Sequence, residues 1–193
     1  ISSASFFIVL TALSRNSKIC IKDVNINSSR IGILKILKMM RVKIIMKKIK
    51  YYKGEKIADI YVESSNSIKS IKCPSNLNSA AIDEFLLIFL VASMCRGIST
   101  FKNLSELNKK ESKRLDWGIK ILKMMKIKVK KINNNGLKIW GNPNLEIKKS
   151  FEIKKFLKDH RVFMVSTIAA LTLGGQWKIH DATCFKTSFP KYL

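Results

Sequence analysis

An internal repeat constrains this chain more than any other feature. Ile36-Leu37-Lys38-Met39-Met40 recurs verbatim as Ile121-Leu122-Lys123-Met124-Met125. Each copy leads into an alternating basic and apolar stretch, residues 42–45 and 127–130, which has the period of a half-buried strand. Upstream, each copy has an apolar helical pattern (residues 4–14 and 83–95) and then a short strand (18–24 and 99–104). Downstream, residues 57–62 alternate with period two. In the second copy the turn Asn133-Asn134-Asn135-Gly136 precedes a strand over 137–140. A third copy opens at Asp159 with a helix over 161–173, stops at Gly174-Gly175, continues as a strand over 177–180 and breaks off at Leu193.

The repeating unit is helix, strand, helix, strand, hairpin, which is βαβαββ in circular order and about 80 residues long. The expected fold is therefore an α/β (α+β) domain over residues 1–193. Its units run from about 1–79, 80–158 and 159–193, the last one partial. Each unit lays its helices on one side of a mixed sheet, and units arranged around an axis gather those helices inside. Pro74 with the polar stretch 75–79, and Asn142-Pro143-Asn144, mark the joints.

Composition enters mainly through what it excludes. A net charge of +24 on 193 residues would ordinarily suggest nucleic acid or an anionic membrane. Yet only six of the 37 basic residues are arginine, lysine, isoleucine and asparagine are all abundant, and the lysines are spread over the whole chain. That is how A+T-rich coding looks, and the charge reads as a solvated surface. Phe6, Phe7, Phe85 and Phe89 sit in apolar helical runs instead of offering stacking platforms. Cys20, Cys73, Cys95 and Cys184 show no zinc spacing, and Cys20 and Cys95 read as small core residues. The longest apolar run, residues 85–95, is about half of the ~20 residues a membrane span needs. The chain opens at Ile1 directly into a helix and reads as a fragment of a longer cytoplasmic protein.

Against this lysine-rich background the arginines stand out. Lys110, Glu111 and Arg114 fall within what reads as the first turn of a helix, with Lys110 and Arg114 on one face at i, i+4. Two cations so placed repel unless an anion sits between them, either Glu111 or a ligand carboxylate or phosphate. Asp159-His160-Arg161 opens another helix, and Asp83 a third. Asp83 and Asp159 read as N-caps. Arg30, Arg114 and Arg161 take equivalent loop or helix-start positions, where a planar fork binds carboxylate or phosphate through parallel bonds beside free backbone N–H groups. His160, flanked by Asp159 and Arg161, has a supporting or proton-relay place. His180 reads as structural, and the Met39-Met40 and Met124-Met125 pairs read as core. The loop Thr187-Ser188-Phe189-Pro190 is placed to line the same cleft. No Gly-rich phosphate loop, metal-ligand cluster or nucleophile elbow is present.

Taken in order, Ser2-Ser3-Ala4-Ser5-Phe6-Phe7, Ile82-Asp83-Glu84-Phe85, Lys110-Glu111-Ser112-Lys113-Arg114-Leu115, Asp159-His160-Arg161 and Thr187-Ser188-Phe189-Pro190 resemble the successive signatures of the 5-enolpyruvylshikimate-3-phosphate synthase family. The resemblance covers essentially the whole chain. It implies a two-domain enzyme with its active site in the cleft, of which this chain is most of the C-terminal domain. The reaction it implies is transfer of the enolpyruvyl group of phosphoenolpyruvate to the 5-hydroxyl of shikimate 3-phosphate. That transfer runs through a tetrahedral intermediate, with loss of phosphate and no metal or organic cofactor. By the same resemblance Asp83 takes the 5-hydroxyl proton and Glu111 handles the methylene proton. Lys110 binds shikimate 3-phosphate, and Arg114 and Arg161 clamp phosphoenolpyruvate. The expected partners are these small molecules and the missing N-terminal domain, with no nucleic acid or membrane and a monomeric full-length protein.

The sequence departs from the pattern at Leu86 (often Pro), Asn108 (Arg), Lys113 (Asp), Met40 and Met125 (helix-ending Gly) and Asn27-Ser28-Ser29-Arg30-Ile31-Gly32 (a looser Asn-Pro-Thr-Arg-Thr-Gly). The rival readings are the sister transferase acting on a UDP-N-acetylglucosamine sugar and a basic nucleic-acid-binding module. The Lys-Glu-Ser-x-Arg and Asp-His-Arg strings favour the shikimate enzyme.

Overall fold

A computed structural model describes every residue except Asn66, Asn134, Thr187 and Leu193. In chain order the elements are α1 (Ser2–Leu13), β1 (Lys18–Asn25), α2 (Gly32–Met39), β2 (Lys43–Tyr52) and β3 (Glu55–Glu63), then α3 (Phe85–Ser93), β4 (Gly97–Phe101), α4 (Arg114–Met124), β5 (Val129–Ile132) and β6 (Gly136–Gly141). They end with β7 (Ser150–Ile153), α5 (His160–Leu173) and β8 (Gln176–Ile179). Short 3-10 turns at Ser75–Leu77, Ser79–Glu84 and Ser105–Lys109 lead toward α3 and α4.

The two full copies build the same antiparallel sheet, β1-β3-β2 and β4-β6-β5, with the last strand of each hairpin in the middle. Residues 69–72 bridge in parallel to the β4 region, and β7 pairs in parallel with β8. A strand–helix–strand crossover therefore encloses α3 and another encloses α5, as parallel pairing requires. Their first strands were not evident in the sequence: the four residues of β7 are too short a run for period-two alternation to register.

The helices gather inside because α3 has no polar face. All nine of its residues, Phe-Leu-Leu-Ile-Phe-Leu-Val-Ala-Ser, are buried, and α1, α2, α4 and α5 pack around it. Phe85 and Phe89 of α3 meet each other and Phe101 of β4 edge-on or tilted, with centroids 5.3–6.1 Å apart. Gly118 lets α4 lie close, since a Cβ there would fall 2.8 Å from the Phe89 ring. Gly32 does the same for backbone: a Cβ would fall 2.6 Å from the Ala80 carbonyl carbon, so α2 presses directly on the turn that carries Asp83. Among the described residues no helix is long and apolar enough to cross a membrane.

The verbatim pentapeptides end their helices identically. Val42 N–H bonds Leu37 C=O and Arg41 N–H bonds Lys38 C=O. Ile127 to Leu122 and Lys126 to Lys123 repeat the pattern, all at 2.9 Å. This is a Schellman close, with the left-handed residue one place after the methionine, Arg41 at φ 66° and Lys126 at φ 60°. Met40 and Met125 therefore need no glycine. They are buried while Met39 is 43% exposed and Met124 half-buried, so only one methionine of each pair is core.

Three further expectations are corrected. Cys20 is exposed, because it shares the outer face of its sheet with Tyr61 and Ile45 in register. Asp83 is not an N-cap: it lies in the 3-10 turn before α3, and the helix makes no side-chain cap hydrogen bond. Lys110 and Glu111 precede α4 in extended and turning backbone, so Lys110 and Arg114 do not share a helix face. Of the turn at 133–136, Asn134 lies outside the described residues.

Candidate active site

The segments that begin the helices meet at one rim, and Arg114 organises it. Its residue is 1% exposed, and its three guanidinium nitrogens go to three carboxylates. Nε donates to Asp159 Oδ2 (2.9 Å), Nη1 to Asp83 Oδ1 (3.1 Å) and Nη2 to Glu111 Oε2. Lys110 Nζ reaches the same Asp83 Oδ1 at 3.2 Å. The pairing of Lys110 and Arg114 that helical spacing suggested is thus achieved through space, around an aspartate.

Asp159 is the buried hinge of the network. Its Oδ1 accepts the Arg161 backbone N–H at 2.9 Å, capping α5 as expected. Its Oδ2 takes Ser112 N–H (3.2 Å), Ser112 Oγ (2.8 Å) and Arg114 Nε. Burial pushes this carboxyl up, but Arg114, Ser112 and the Arg161 N–H outweigh it and hold it below the ordinary carboxylate value.

Arg161 extends the network to α3 and α1. Its Nη1 donates to the Asp83 carbonyl (3.1 Å) and to Glu84 Oε1 (3.2 Å), and its guanidinium lies over the Phe6 ring at 5.8 Å. Glu84 also accepts from Ser2 Oγ at 2.8 Å. Burial raises the Asp83 carboxyl too, and Arg161, Lys110 and Arg114 bring it down overall. It is therefore a carboxylate at neutral pH.

Five of the sequence-predicted residues, Asp83, Lys110, Glu111, Arg114 and Arg161, thus share one continuous network with Asp159. His160 sits beside it, half-buried. Burial first and then Arg161 lower its pKa below the ordinary 6.5, so it is neutral at pH 7. Among the described residues it makes no side-chain hydrogen bond. His180 pairs with Glu152 at 2.9 Å, far along the chain from this rim, just past β8. Of Thr187-Ser188-Phe189-Pro190, Thr187 lies outside the described residues, and Phe189 packs edge-on against Phe7 at 5.9 Å.

Three contributors carried no signal of their own. Ser112 and Glu84 entered the motifs only as neighbours, yet both are buried and bonded. Glu84 is carried into the interior at the start of a wholly apolar helix, and a charge buried there needs a partner. Asn108, one of the departures, caps α4: its Oδ1 accepts from Leu115 N (3.1 Å) and Asp116 N (3.4 Å) while Lys113 holds the N-cap position without a side-chain bond.

Beside the network is an open depression of about 280 Å³, lined by Ser2, Ser29, Arg30, Asp83, Glu84 and Lys110. It joins the starts of α1, α2 and α3 to the segment before α4. Helix N-termini with two cations suit a small anion. The charged pairs differ in how easily they exchange. Asp159 is fully buried, whereas the Glu111 side chain is 53% exposed and Asp83 38%. A ligand carboxylate could displace Glu111 from Arg114 without disturbing Asp159. Among the described residues no group of His, Cys, Asp and Glu is gathered to hold a metal ion.

The family model for EPSP synthase (3-phosphoshikimate 1-carboxyvinyltransferase) matches residues 1–193. A 3-phosphoshikimate 1-carboxyvinyltransferase of Thermodesulfovibrio yellowstonii is 35% identical over 191 residues, 99% of this chain and 43% of the relative. One from Ruthia magnifica is 34% identical over 197 residues, 100% of this chain and 43% of the relative. The solved EPSP synthase from Acinetobacter baumannii superposes with a TM-score of 0.91 at 31% identity, over 99% of this chain and 43% of that one. The enolpyruvyl transferase NikO from Streptomyces tendae shares the fold (TM-score 0.67, 10% identity, 98% of this chain and 40% of that one). The chain spans about 43% of the length of these curated relatives.

Proposed function

The chain belongs to the EPSP synthase (3-phosphoshikimate 1-carboxyvinyltransferase) family, and from that premise we propose that it forms most of the C-terminal domain of such an enzyme. Residues 1–193 make two βαβαββ units and part of a third. The rest of the enzyme closes over the rim described above. The full-length protein is a cytoplasmic monomer that transfers the enolpyruvyl group of phosphoenolpyruvate to the 5-hydroxyl of shikimate 3-phosphate. It needs no metal or organic cofactor, and this piece alone has no turnover.

The observation that carries the reading is that Asp83, Lys110, Glu111, Arg114 and Arg161 fall into one hydrogen-bonded rim. The roles follow from their surroundings. Phosphoenolpyruvate brings a carboxylate and a phosphate. Its carboxylate replaces Glu111 on Arg114, and Arg161 takes a second anionic group. Released, Glu111 takes up a proton from water, delivers it to the methylene carbon as the C–O bond forms, and takes one back from the resulting methyl group as the bond to phosphate breaks. Shikimate 3-phosphate draws Lys110 away from Asp83. Arg161 foremost, then Lys110 and Arg114, hold the Asp83 carboxyl down; with a substrate anion on Arg161 and Lys110 withdrawn, it loses part of that effect and becomes a better base for the 5-hydroxyl. Both acid–base groups thus start inactive, each tied to a cation that the substrates claim.

The test joins the chain to the rest of the protein and follows phosphate release from phosphoenolpyruvate with shikimate 3-phosphate. Asp83→Asn and Arg161→Lys should each lower the rate by about a hundredfold or more. Effects within twofold, or an inert wild-type, contradict the assignment.

A further inference from the structure

Glu84 is a buried carboxylate to which the reaction above gives no role. It is 3% exposed, a setting a carboxylate tolerates only when paired and hydrogen-bonded. It does not cap α3. Its partners are Ser2 Oγ at 2.8 Å and Arg161 Nη1 at 3.2 Å, so it ties the start of α1 to the arginine of α5.

These contacts fix one end of the Arg161 guanidinium. Nη1 is shared between Glu84 and the Asp83 carbonyl, and Phe6 lies against one face. Among the described residues no side chain or carbonyl bonds Nε or Nη2. A planar fork held at one nitrogen presents its other N–H groups in a set direction, which is the preorganisation a bidentate anion contact needs.

We propose that Glu84 is a positioning residue, anchoring Arg161 so that its free edge receives an anionic group of phosphoenolpyruvate. The inference rests on the functional reading above and concerns one substrate only. Shikimate 3-phosphate, which that reading assigns to Lys110, should not sense Glu84.

The test uses the full-length enzyme with Glu84→Ala and Glu84→Gln, measuring KM for each substrate and kcat. Glu84→Ala leaves Nη1 with the Asp83 carbonyl alone. It should raise KM for phosphoenolpyruvate about thirtyfold while KM for shikimate 3-phosphate stays within twofold and kcat falls less than about fivefold. Glutamine keeps an acceptor for Nη1 and Ser2, so Glu84→Gln should recover most of that loss, to about threefold above wild type. If Glu84→Ala does not fold, Glu84→Gln still carries the comparison. An unchanged KM for phosphoenolpyruvate, or an equal rise for both substrates, overturns the inference while leaving the functional reading standing. An inert wild-type enzyme removes that reading and this inference with it.

Discussion

Replacing Asp159 with alanine should be among the most damaging single changes at this rim. The structure gives the parts of the sum. Its Oδ1 caps α5 through Arg161 N–H, and losing an N-cap costs about 1 kcal/mol. Its Oδ2 holds Arg114 Nε and both Ser112 donors in a fully buried setting, and deleting one side of a buried ion pair costs about 3–5 kcal/mol. Arg114 keeps Asp83 and Glu111, so the lower part of that range applies and the total is about 4 kcal/mol. At about 2–4 °C per kcal/mol for a domain of this size, the melting temperature should fall by roughly 8–16 °C. Asp159→Ser, which can still cap, should recover about 1 kcal/mol of the loss. The effect depends on pH. The fold holds this carboxyl below its ordinary 3.8, so its stabilisation is complete above that value. It is lost as pH falls through the lower folded value. Thermal unfolding by circular dichroism at pH 7.5 and at steps below pH 4 reads both. A loss under 1 kcal/mol at pH 7.5, or a gap between wild type and Asp159→Ala that does not narrow in acid, would refute the argument.

Two further changes test how the rim is held and how the repeats end. Gly32→Ala places a methyl 2.6–2.7 Å from the backbone of Ala80 and Ala81, so the turn bearing Asp83 must shift. Stability should drop by about 2 kcal/mol, and phosphate release by the full-length enzyme should fall by about tenfold or more. Lys126→Gly relieves a left-handed residue at φ 60° and should raise the urea midpoint, worth about 0.5–1 kcal/mol, at unchanged m-value.

Much of the fold was legible because the repeat supplies each element twice. The pentapeptide marked the ends of α2 and α4, and alternation marked β2, β3 and β5. The parallel strands at 69–72 and in β7 escaped notice because short strands that cross over a helix have too few residues to show a period. The site was legible as residues and not as geometry. Helical spacing suggested a shared face for Lys110 and Arg114, but the backbone before α4 is extended, and the two meet only because Asp83 arrives from the turn before α3. Glu84, Ser112 and Asn108 owe their importance to burial and to long-range partners, neither of which a linear pattern displays. Cys20 and Met39 fell on the wrong side for the complementary reason: one residue along a strand or helix turns a side chain outward.

Substrate binding should release the cations of this rim from their carboxylates. A crystal structure of the full-length protein with shikimate 3-phosphate and phosphoenolpyruvate tests that directly. It should show Glu111 off Arg114, the Arg114 and Arg161 guanidinium groups on phosphoenolpyruvate, and Lys110 moved from Asp83 to shikimate 3-phosphate. Both ligands bound elsewhere, with the Arg114–Glu111 and Lys110–Asp83 pairs intact, would contradict it.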